Sequence, residues 1–335
     1  MKVIFVAREN IINPYIALLI RSLKTASPKN SEFIYYSSEA ISEPAPDEEI
    51  ILHIHWPETI YESDISNRSL KTRFLAALRV LKFLYELRNL KARKKTRIVW
   101  TVHNYKSHRN WFPLIEDFLC WNLYRYADRF IVHTPAGKNF LFANGIPENK
   151  ISVIAHGTYR QYYGAPRNAE ESRKELGINK NAIVFLNFGI LRRYKRIDHI
   201  RSVFNRLSSE KRIKLFVAGK VPKDKVASFF TAADFFVMGH QNFLTSGTAV
   251  LALSYGLPVI APSSGDMPYI IRNGENGFLY GTDDELQELI SAVSNFPDAK
   301  KNEIRNNAMK SAAKHSWKFV AKETLAVYRR ENGTQ

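Results

Sequence analysis

Apolar residues in this chain fall into short runs, separated by longer segments in which apolar positions recur at helical spacing. Short apolar runs bounded by polar residues, glycine or proline are typical of strands buried in a sheet. Eight runs fit this description, at residues 3–7, 50–55, 98–103, 130–133, 183–188, 213–218, 235–238 and 258–261. Because helical segments lie between most of them, the pattern predicts parallel sheets wrapped by helices, an α/β fold class.

A polar stretch at residues 157–173 interrupts this alternation, and we place a domain boundary within it. The prediction is an N-terminal domain at residues 1–162, a C-terminal domain at residues 163–315 and a last helical segment at residues 316–335. A chain of 335 residues suits two domains. We expect two doubly wound, Rossmann-like domains that face each other across a cleft. Such sheets bind ligands beyond the carboxyl ends of their strands.

The segment from Ser69 to Arg97 combines leucines at helical spacing with a cluster of basic residues. From Arg68 to Arg97 there are eleven Lys or Arg residues and a single acid, Glu86. An anionic membrane surface attracts such a segment by about 1 kcal/mol per basic residue. We therefore expect peripheral contact with anionic lipid, on the cytoplasmic face of the cell membrane. The alternative is a core-packing helix with a solvated basic face.

The formal net charge of +17 implies an anionic partner, which is nucleic acid, lipid headgroups or a phosphorylated substrate. No zinc-finger, RNP-like or helix-turn-helix pattern is present, so we do not expect a nucleic-acid partner, although a nucleic-acid-binding protein remains an alternative. The single cysteine, Cys120, excludes a disulfide framework and a cysteine metal cluster within the chain, and it fits a reducing cytoplasm. The first apolar run is short and ends in charged residues, so no secretory signal and no membrane span is expected.

A small polar cluster, Thr-Ser-Gly-Thr, precedes an apolar helical segment in the C-terminal half. The first turn of a helix offers unpaired backbone N–H groups and the positive end of the helix dipole, which together favour a bound phosphate. Gly247 leaves room for such an approach, and Thr245, Ser246 and Thr248 can cap the helix or donate to phosphate oxygens. Ordinary capping without a ligand is the alternative.

A second segment supplies positive charge. A predicted strand ends at Phe188 and Gly189, and a basic loop with Arg192, Arg193, Lys195 and Arg196 follows it. Guanidinium and ammonium groups just beyond the carboxyl end of a strand suit a diphosphate.

These segments, together with "ALSYGLPVIAP" and "NGENGFLY" further along, resemble the donor-binding half of GT-B glycosyltransferases, especially glycosyltransferase family 4. The resemblance implies the GT-B fold and a nucleotide-sugar donor whose diphosphate is held without a metal or other cofactor. It places Lys195 and Arg192 among the donor-binding residues, with Gly189 at the strand end and residues 245–248 at the helix start. It also implies that the last helix crosses back onto the first domain.

Two departures from the family pattern concern donor recognition. The family carries two glutamates eight positions apart, and the matching positions here hold Phe243 and Leu251. Tyr269 stands where many relatives have a third glutamate. The retaining stereochemistry of the family is therefore not carried over, and inversion is a serious option. A catalytically inactive GT-B sugar-binding protein is the alternative function.

In the N-terminal half, "WTVHN" resembles the family strand that ends at a cleft histidine, here His103. His103 is thus one catalytic candidate, and Glu9 and Glu58, which follow predicted strands, are candidates for the general base. The acceptor-binding candidates lie in the same loops: Arg8, His55 and Asn104. The expected function is transfer of a sugar from a UDP- or GDP-sugar to a lipid-linked saccharide in surface polysaccharide biosynthesis.

Overall fold

The computed structural model describes residues 1–7, 13–42, 48–62, 69–93, 95–104, 111–207, 209–241, 244–313 and 315–329. The chain forms two compact units. The first comprises residues 1–155 and the segment from Trp317 onward, and the second comprises His156–Ser316. Each unit is a parallel sheet covered by helices, so the predicted α/β fold class with two Rossmann-like domains is confirmed.

The strands are β1 Lys2–Val6, β2 Glu32–Tyr35, β3 Ile50–Ile54, β4 Thr96–Thr101, β5 Arg129–Val132, β6 Ile151–Val153, β7 Ile183–Phe188, β8 Ile213–Ala218, β9 Phe235–Val237, β10 Val259–Pro262 and β11 Gly277–Tyr280. The α-helices are α1 Tyr15–Ala26, α2 Ser38–Ser42, α3 Glu58–Tyr61, α4 Leu70–Lys91, α5 Pro113–Tyr126, α6 Pro135–Ala143, α7 Arg160–Tyr163, α8 Ala169–Glu175, α9 Ile197–Arg206, α10 Val226–Ala232, α11 Gly247–Ser254, α12 Met267–Ile270, α13 Asp283–Ser294, α14 Asp298–Ala313 and α15 Trp317–Arg329.

The unit boundary lies before the predicted boundary at residue 162, because the polar segment packs into the second unit. The Thr158 amide donates to the His315 carbonyl at 3.1 Å. The Tyr255 hydroxyl donates to the Gly164 carbonyl at 2.7 Å. The polar stretch therefore belongs to the second unit from its first residues, although its composition is that of a linker.

In both sheets the order of the strands reverses beside the strand that comes first in the sequence. In the described residues the first sheet has the order β2-β1-β3-β4-β5-β6 and the second β8-β7-β9-β10-β11, with all strands parallel. In such sheets a crevice opens beyond the carboxyl ends of the two strands where the order reverses. These strands are β1 and β3 in the first unit, and β7 and β9 in the second.

The C-terminal helix α15 completes the first unit, as the resemblance implied, and packs against α1. Its Tyr328 is fully buried, and the hydroxyl lies 2.6 Å from Nδ1 of His53 in the central strand β3. The other ring nitrogen of His53 lies 2.8 Å from the Thr101 hydroxyl on β4. Burial lowers the pKa of His53 to about 3, so this contact joins neutral groups.

Helix α4 presents an unexpected face to the core. Ser69 caps it by accepting from the Thr72 amide at 3.3 Å. The buried side chains are Ala76, Val80, Phe83, Leu87 and Leu90. The sequence pattern predicted that the apolar residues at helical spacing would form the buried face. Most of them are exposed instead: Leu70, Phe74, Leu78, Leu81 and Tyr85. The helix therefore carries two apolar faces. None of the helices that the structure describes combines the length and apolar character needed to cross a bilayer.

Candidate active site

The second unit brings a lysine and a helix start together at the reversal of its sheet. Gly189 follows β7 directly, and α11 begins at Gly247 beyond β9. A Cβ added at Gly189 would lie 2.8 Å from Nζ of Lys195 and 3.8 Å from Cγ2 of Thr248. Lys195 and the first turn of α11 therefore lie on the same side of Gly189, close enough to contact one small anion.

The backbone at Gly189 makes room for the lysine. Its φ of 101° lies in the left-handed region that favours glycine, and any side chain there would meet the ammonium. Nζ of Lys195 donates to the Phe188 carbonyl at 3.0 Å, and the side chain is largely buried. Burial, assisted by repulsion from Arg192, lowers the pKa of Lys195 to about 8. The ammonium is thus still charged at neutral pH, and a bound anion would stabilise its charged form.

The hydroxyl groups of residues 245–248 differ in their hydrogen bonds. The Ser246 oxygen accepts from the Ala249 amide at 3.3 Å and lies 3.2 Å from the Thr248 hydroxyl. Ser246 is therefore an ordinary helix cap. The Thr245 hydroxyl is buried and has no hydrogen-bond partner among the residues that the structure describes. A buried donor without a partner is costly, so this hydroxyl is the one available to a ligand.

Gly247 lies against an aromatic side chain of the same unit. A Cβ at this position would lie 2.7 Å from Cε2 of the Tyr159 ring, so the space beside the glycine is filled by an aromatic side chain. Tyr159 is buried, and its hydroxyl lies 3.2 Å from Nε2 of His156. The absence of a side chain at Gly247 thus lets Tyr159 pack against the start of α11. The sequence contained no signal for this pairing.

The remaining donor-side residues are less enclosed. Arg192 is exposed, Leu251 is buried within α11, and Tyr269 is half exposed on α12. Phe243 lies outside the described residues. Asp266, which was not among the predicted site residues, follows β10 at the same edge of the sheet. It is fully buried, neither carboxylate oxygen has a partner in the described part of the chain, and burial raises its pKa to about 7.

In the first unit, three histidines follow three neighbouring strands. His55 comes after β3, His103 after β4 and His133 after β5. Nδ1 of His55 lies 3.0 Å from Nε2 of His103, and Nδ1 of His103 lies 3.2 Å from Nε2 of His133. Parallel pairing places these positions at one edge, so strands far apart in sequence deliver a contiguous row of imidazoles. His133 was missed because it was read only as the end of a strand.

A small cavity of about 30 Å³ adjoins this row. Its lining includes His55, Trp56, Glu58, His103 and Asn104. Glu58 opens helix α3, so it is brought to the same cavity as two of the predicted acceptor-side residues. A cavity of this size holds about one or two water molecules. The other candidates, Arg8 and Glu9, lie outside the described residues.

Within the residues that the structure describes, no three His, Cys, Asp or Glu side chains are arranged to hold a metal ion.

Two family models match different parts of the chain. The model described as glycosyltransferase family 4 matches residues 74–161, and the model described as glycosyl transferases group 1 matches residues 198–296. The first match lies mostly in the first unit and the second lies in the second unit.

Two curated relatives are similar over 60% and 64% of the chain. A D-inositol 3-phosphate glycosyltransferase of Corynebacterium kroppenstedtii is 27% identical over 60% of this chain and 53% of its own length. A GDP-mannose:glycolipid 4-beta-D-mannosyltransferase of Xanthomonas campestris pv. campestris is 25% identical over 64% of this chain and 61% of its own. The chain thus spans little more than half the length of these relatives.

Solved structures match the whole fold. HepE of Anabaena in complex with UDP has a TM-score of 0.68 and 14% identity, and the match covers 97% of this chain and 99% of that one. Sucrose-phosphate synthase of Thermosynechococcus elongatus has a TM-score of 0.70 and 13% identity, with 98% of each chain covered. The chain shares the fold of these GT-B structures, and each of its units matches a glycosyltransferase family model over part of its length. These matches confirm the resemblance to glycosyltransferase family 4 that the sequence motifs carried.

The contact between Gly247 and Tyr159 yields a prediction about coupling. Gly247→Ala forces the Tyr159 ring aside, and we expect it to lower the free energy of unfolding by about 1–3 kcal/mol, the usual cost of overpacking. In a Tyr159→Ala background the ring is gone, so the same substitution has a much smaller effect. Denaturant unfolding of the four variants measures this coupling. Equal costs in both backgrounds would contradict the contact.

Proposed function

We propose that this chain transfers a sugar from a nucleotide diphosphate donor, a UDP- or GDP-sugar, to a lipid-linked saccharide in surface polysaccharide biosynthesis. The observation that carries the proposal is the position of the Lys195 ammonium, beside Gly189 and the first turn of α11. A leaving nucleoside diphosphate needs positive charge and N–H donors where its own charge develops. The lysine supplies the charge, and the helix start supplies the dipole and backbone donors.

The comparisons support the donor class. The solved relative HepE has been determined with UDP and with UDP-glucose, and a curated relative is a GDP-mannose:glycolipid mannosyltransferase. Lys195 and the α11 N-terminus provide the kind of charge that a metal ion provides elsewhere, so we propose that transfer needs no metal and no cofactor. Because Leu251 cannot hold ribose hydroxyls, other groups of the second unit bind the donor's ribose.

Helices α4 and α5 support a membrane-associated acceptor. They pack against each other, and both expose large apolar side chains. Those of α5 are Leu114, Phe118 and Trp121, with Arg125 stacked 4.7 Å over the Trp121 ring. Exposed apolar residues of this number on adjacent helices are typical of an interaction surface. Basic residues on the exposed side of α4, such as Lys71, surround them.

This apolar and basic surface has the composition of a peripheral membrane site, since apolar side chains enter the headgroup boundary while lysine and arginine pair with anionic lipid. We propose that it seats the protein on the cytoplasmic face of the cell membrane, where a lipid-linked saccharide is presented. The catalytic acids and bases are proposed to be His103, Glu58 and Glu9, and the acceptor contacts Arg8, His55 and Asn104.

Donor binding and turnover test the proposal directly. We expect one UDP- or GDP-sugar to raise the melting temperature in a nucleotide-sugar screen, because a ligand at about 100 times its Kd adds about 2.7 kcal/mol to stability. The same donor should be consumed when membrane lipid extract carrying saccharide acceptors is added. Binding without turnover would identify an inactive sugar-binding protein, and the absence of both would contradict the proposal.

The Lys195 ammonium predicts the pH dependence of UDP binding. Because its pKa in the free protein is about 8, the charged form predominates at pH 7 and is lost as the pH rises through that value. Diphosphate binds the charged form, so we expect the association constant of UDP to fall by up to about tenfold per pH unit above pH 8. Isothermal titration calorimetry between pH 7 and about pH 10 measures it.

Two variants control this measurement. Lys195→Ala should bind UDP roughly tenfold to a hundredfold more weakly at pH 7 and lose the step near pH 8. Lys220→Ala removes an exposed lysine of the same unit and should keep both affinity and step. A Lys195→Ala variant that retains the step would show that another group titrates.

The α4 surface predicts selective binding to anionic vesicles. We expect the protein to sediment with phosphatidylglycerol vesicles and not with phosphatidylcholine vesicles, and binding should weaken as salt is added. Replacing Phe74 and Leu81 by serine removes apolar contacts worth about 1.5–3 kcal/mol each and should release the protein. Phe142→Ser on α6, which is equally exposed, is the matched control. Equal binding to both vesicle types, or equal loss in the control, would contradict the assignment.

A further inference from the structure

The row of histidines in the first unit has one fixed end. Nδ1 of His133 lies 2.9 Å from the backbone carbonyl oxygen of Ile154. A carbonyl oxygen carries no proton, so His133 must donate through Nδ1. In a neutral imidazole the other nitrogen is then an acceptor, so Nε2 of His133 accepts from Nδ1 of His103.

The direction of donation is then fixed along the whole row. His103 carries its proton on Nδ1, so its Nε2 accepts from Nδ1 of His55. His55 then has a lone pair on Nε2. That atom is buried and has no hydrogen-bond partner in the described part of the chain. The row therefore begins at a backbone carbonyl and ends in one open acceptor.

The surroundings keep the His55 ring neutral and hold the His103 ring in place. Burial, with repulsion from His53, His103 and His133, lowers the pKa of His55 well below its ordinary value. The Trp56 ring stacks on His103 at 4.5 Å between centroids, with planes inclined by 16°. Tyr15 meets His103 edge-on at 4.9 Å. These contacts oppose rotation of the ring of His103, so the direction of the hydrogen bonds is preserved.

We propose that His55, His103 and His133 form an oriented proton relay whose open end, Nε2 of His55, accepts the proton of a sugar hydroxyl. The hydroxyl reaches this nitrogen through the cavity lined by His55, Trp56 and Asn104. The catalytic part of this proposal rests on the proposed function. The orientation of the row does not.

As the hydroxyl oxygen forms its bond to the sugar carbon and the bond to the diphosphate breaks, the hydroxyl proton moves to Nε2 of His55. The Nδ1 proton of His55 moves to Nε2 of His103, and the Nδ1 proton of His103 moves to Nε2 of His133. His133 becomes an imidazolium that still donates to the Ile154 carbonyl. The positive charge ends two rings away from the oxygen that lost the proton.

This arrangement changes the role of His103. Both of its ring nitrogens are engaged by other histidines, at 3.0 and 3.2 Å. The group that takes the proton is therefore His55, which was expected only to bind the acceptor, and His133 is a positioning residue. His103 transmits the proton between them.

Nitrogen NMR of the protein labelled with ¹⁵N-histidine tests the orientation. Long-range proton–nitrogen correlations distinguish a protonated from an unprotonated ring nitrogen. We expect His55, His103 and His133 all to carry the proton on Nδ1 at neutral pH. His133→Phe removes the acceptor for His103, and His103 should then lose its fixed tautomer. Protonated Nε2 atoms in the wild type, or an unchanged His103 in His133→Phe, would overturn the relay.

Two further variants separate orientation from folding. His133→Gln can still donate to Ile154 and accept from His103, so it should restore the Nδ1 tautomer of His103. His53→Gln removes a buried histidine outside the row and should leave the three tautomers unchanged. A tautomer change in His53→Gln equal to that in His133→Phe would mean that any loss of packing has this effect, which would also overturn the relay.

Turnover tests the catalytic part. With a donor and acceptor that the wild type consumes, His55→Gln should lower kcat by about 100-fold or more, the usual contribution of a general base. His133→Phe should lower kcat at least about tenfold with little change in KM, because a histidine in the wrong tautomer is a poor proton carrier. Unchanged kcat in both variants would overturn the catalytic role. Absence of turnover in the wild type would contradict the proposed function and leave the NMR result to decide the relay.

Discussion

Parallel strand pairing is the constraint on which the functional features of this protein depend. In a parallel sheet the carboxyl ends of all strands lie at one edge, so the residue after each strand joins a common row. The first unit fills that row with imidazoles at His55, His103 and His133. The second unit fills it with Gly189 and the lysine that the glycine admits. The same strand arrangement thus places histidines together in the first unit and a lysine beside a helix start in the second.

Much of the fold could be predicted from the sequence because buried parallel strands are short and continuously apolar. The predicted strands at residues 183–188 and 213–218 match β7 and β8 end to end. Three strands were missed, β2, β6 and β11, and each lies at an edge of its sheet. An edge strand pairs with a neighbour on one side only and is partly exposed, so no long apolar run marks it in the sequence. The position of the unit boundary was wrong because Thr158 and Gly164 form their hydrogen bonds with residues distant in sequence.

The candidate sites were predictable where chemistry follows a strand directly, and less so where packing decides. The approach of Lys195 to the α11 start was anticipated from charge and spacing. The Tyr159 ring beside Gly247 was not, because nothing in a sequence of one chain links positions so far apart. In helix α4 the sequence pattern was present but did not show which face is buried. Its leucines have helical spacing on two faces, and only the structure shows that the face through Ala76 and Phe83 is the buried one.

The contact between His53 and Tyr328 has a consequence for the order of assembly during synthesis. The two residues are separated by 275 positions, and the whole second unit lies between them. A nascent chain leaves the ribosome from its N-terminus, and domains generally fold as units as they emerge. The second unit is continuous and can fold while the first still lacks α15. The first unit is synthesised first, but it reaches its native state last. Its central strand β3 lacks the contact with α15 until that helix has been synthesised.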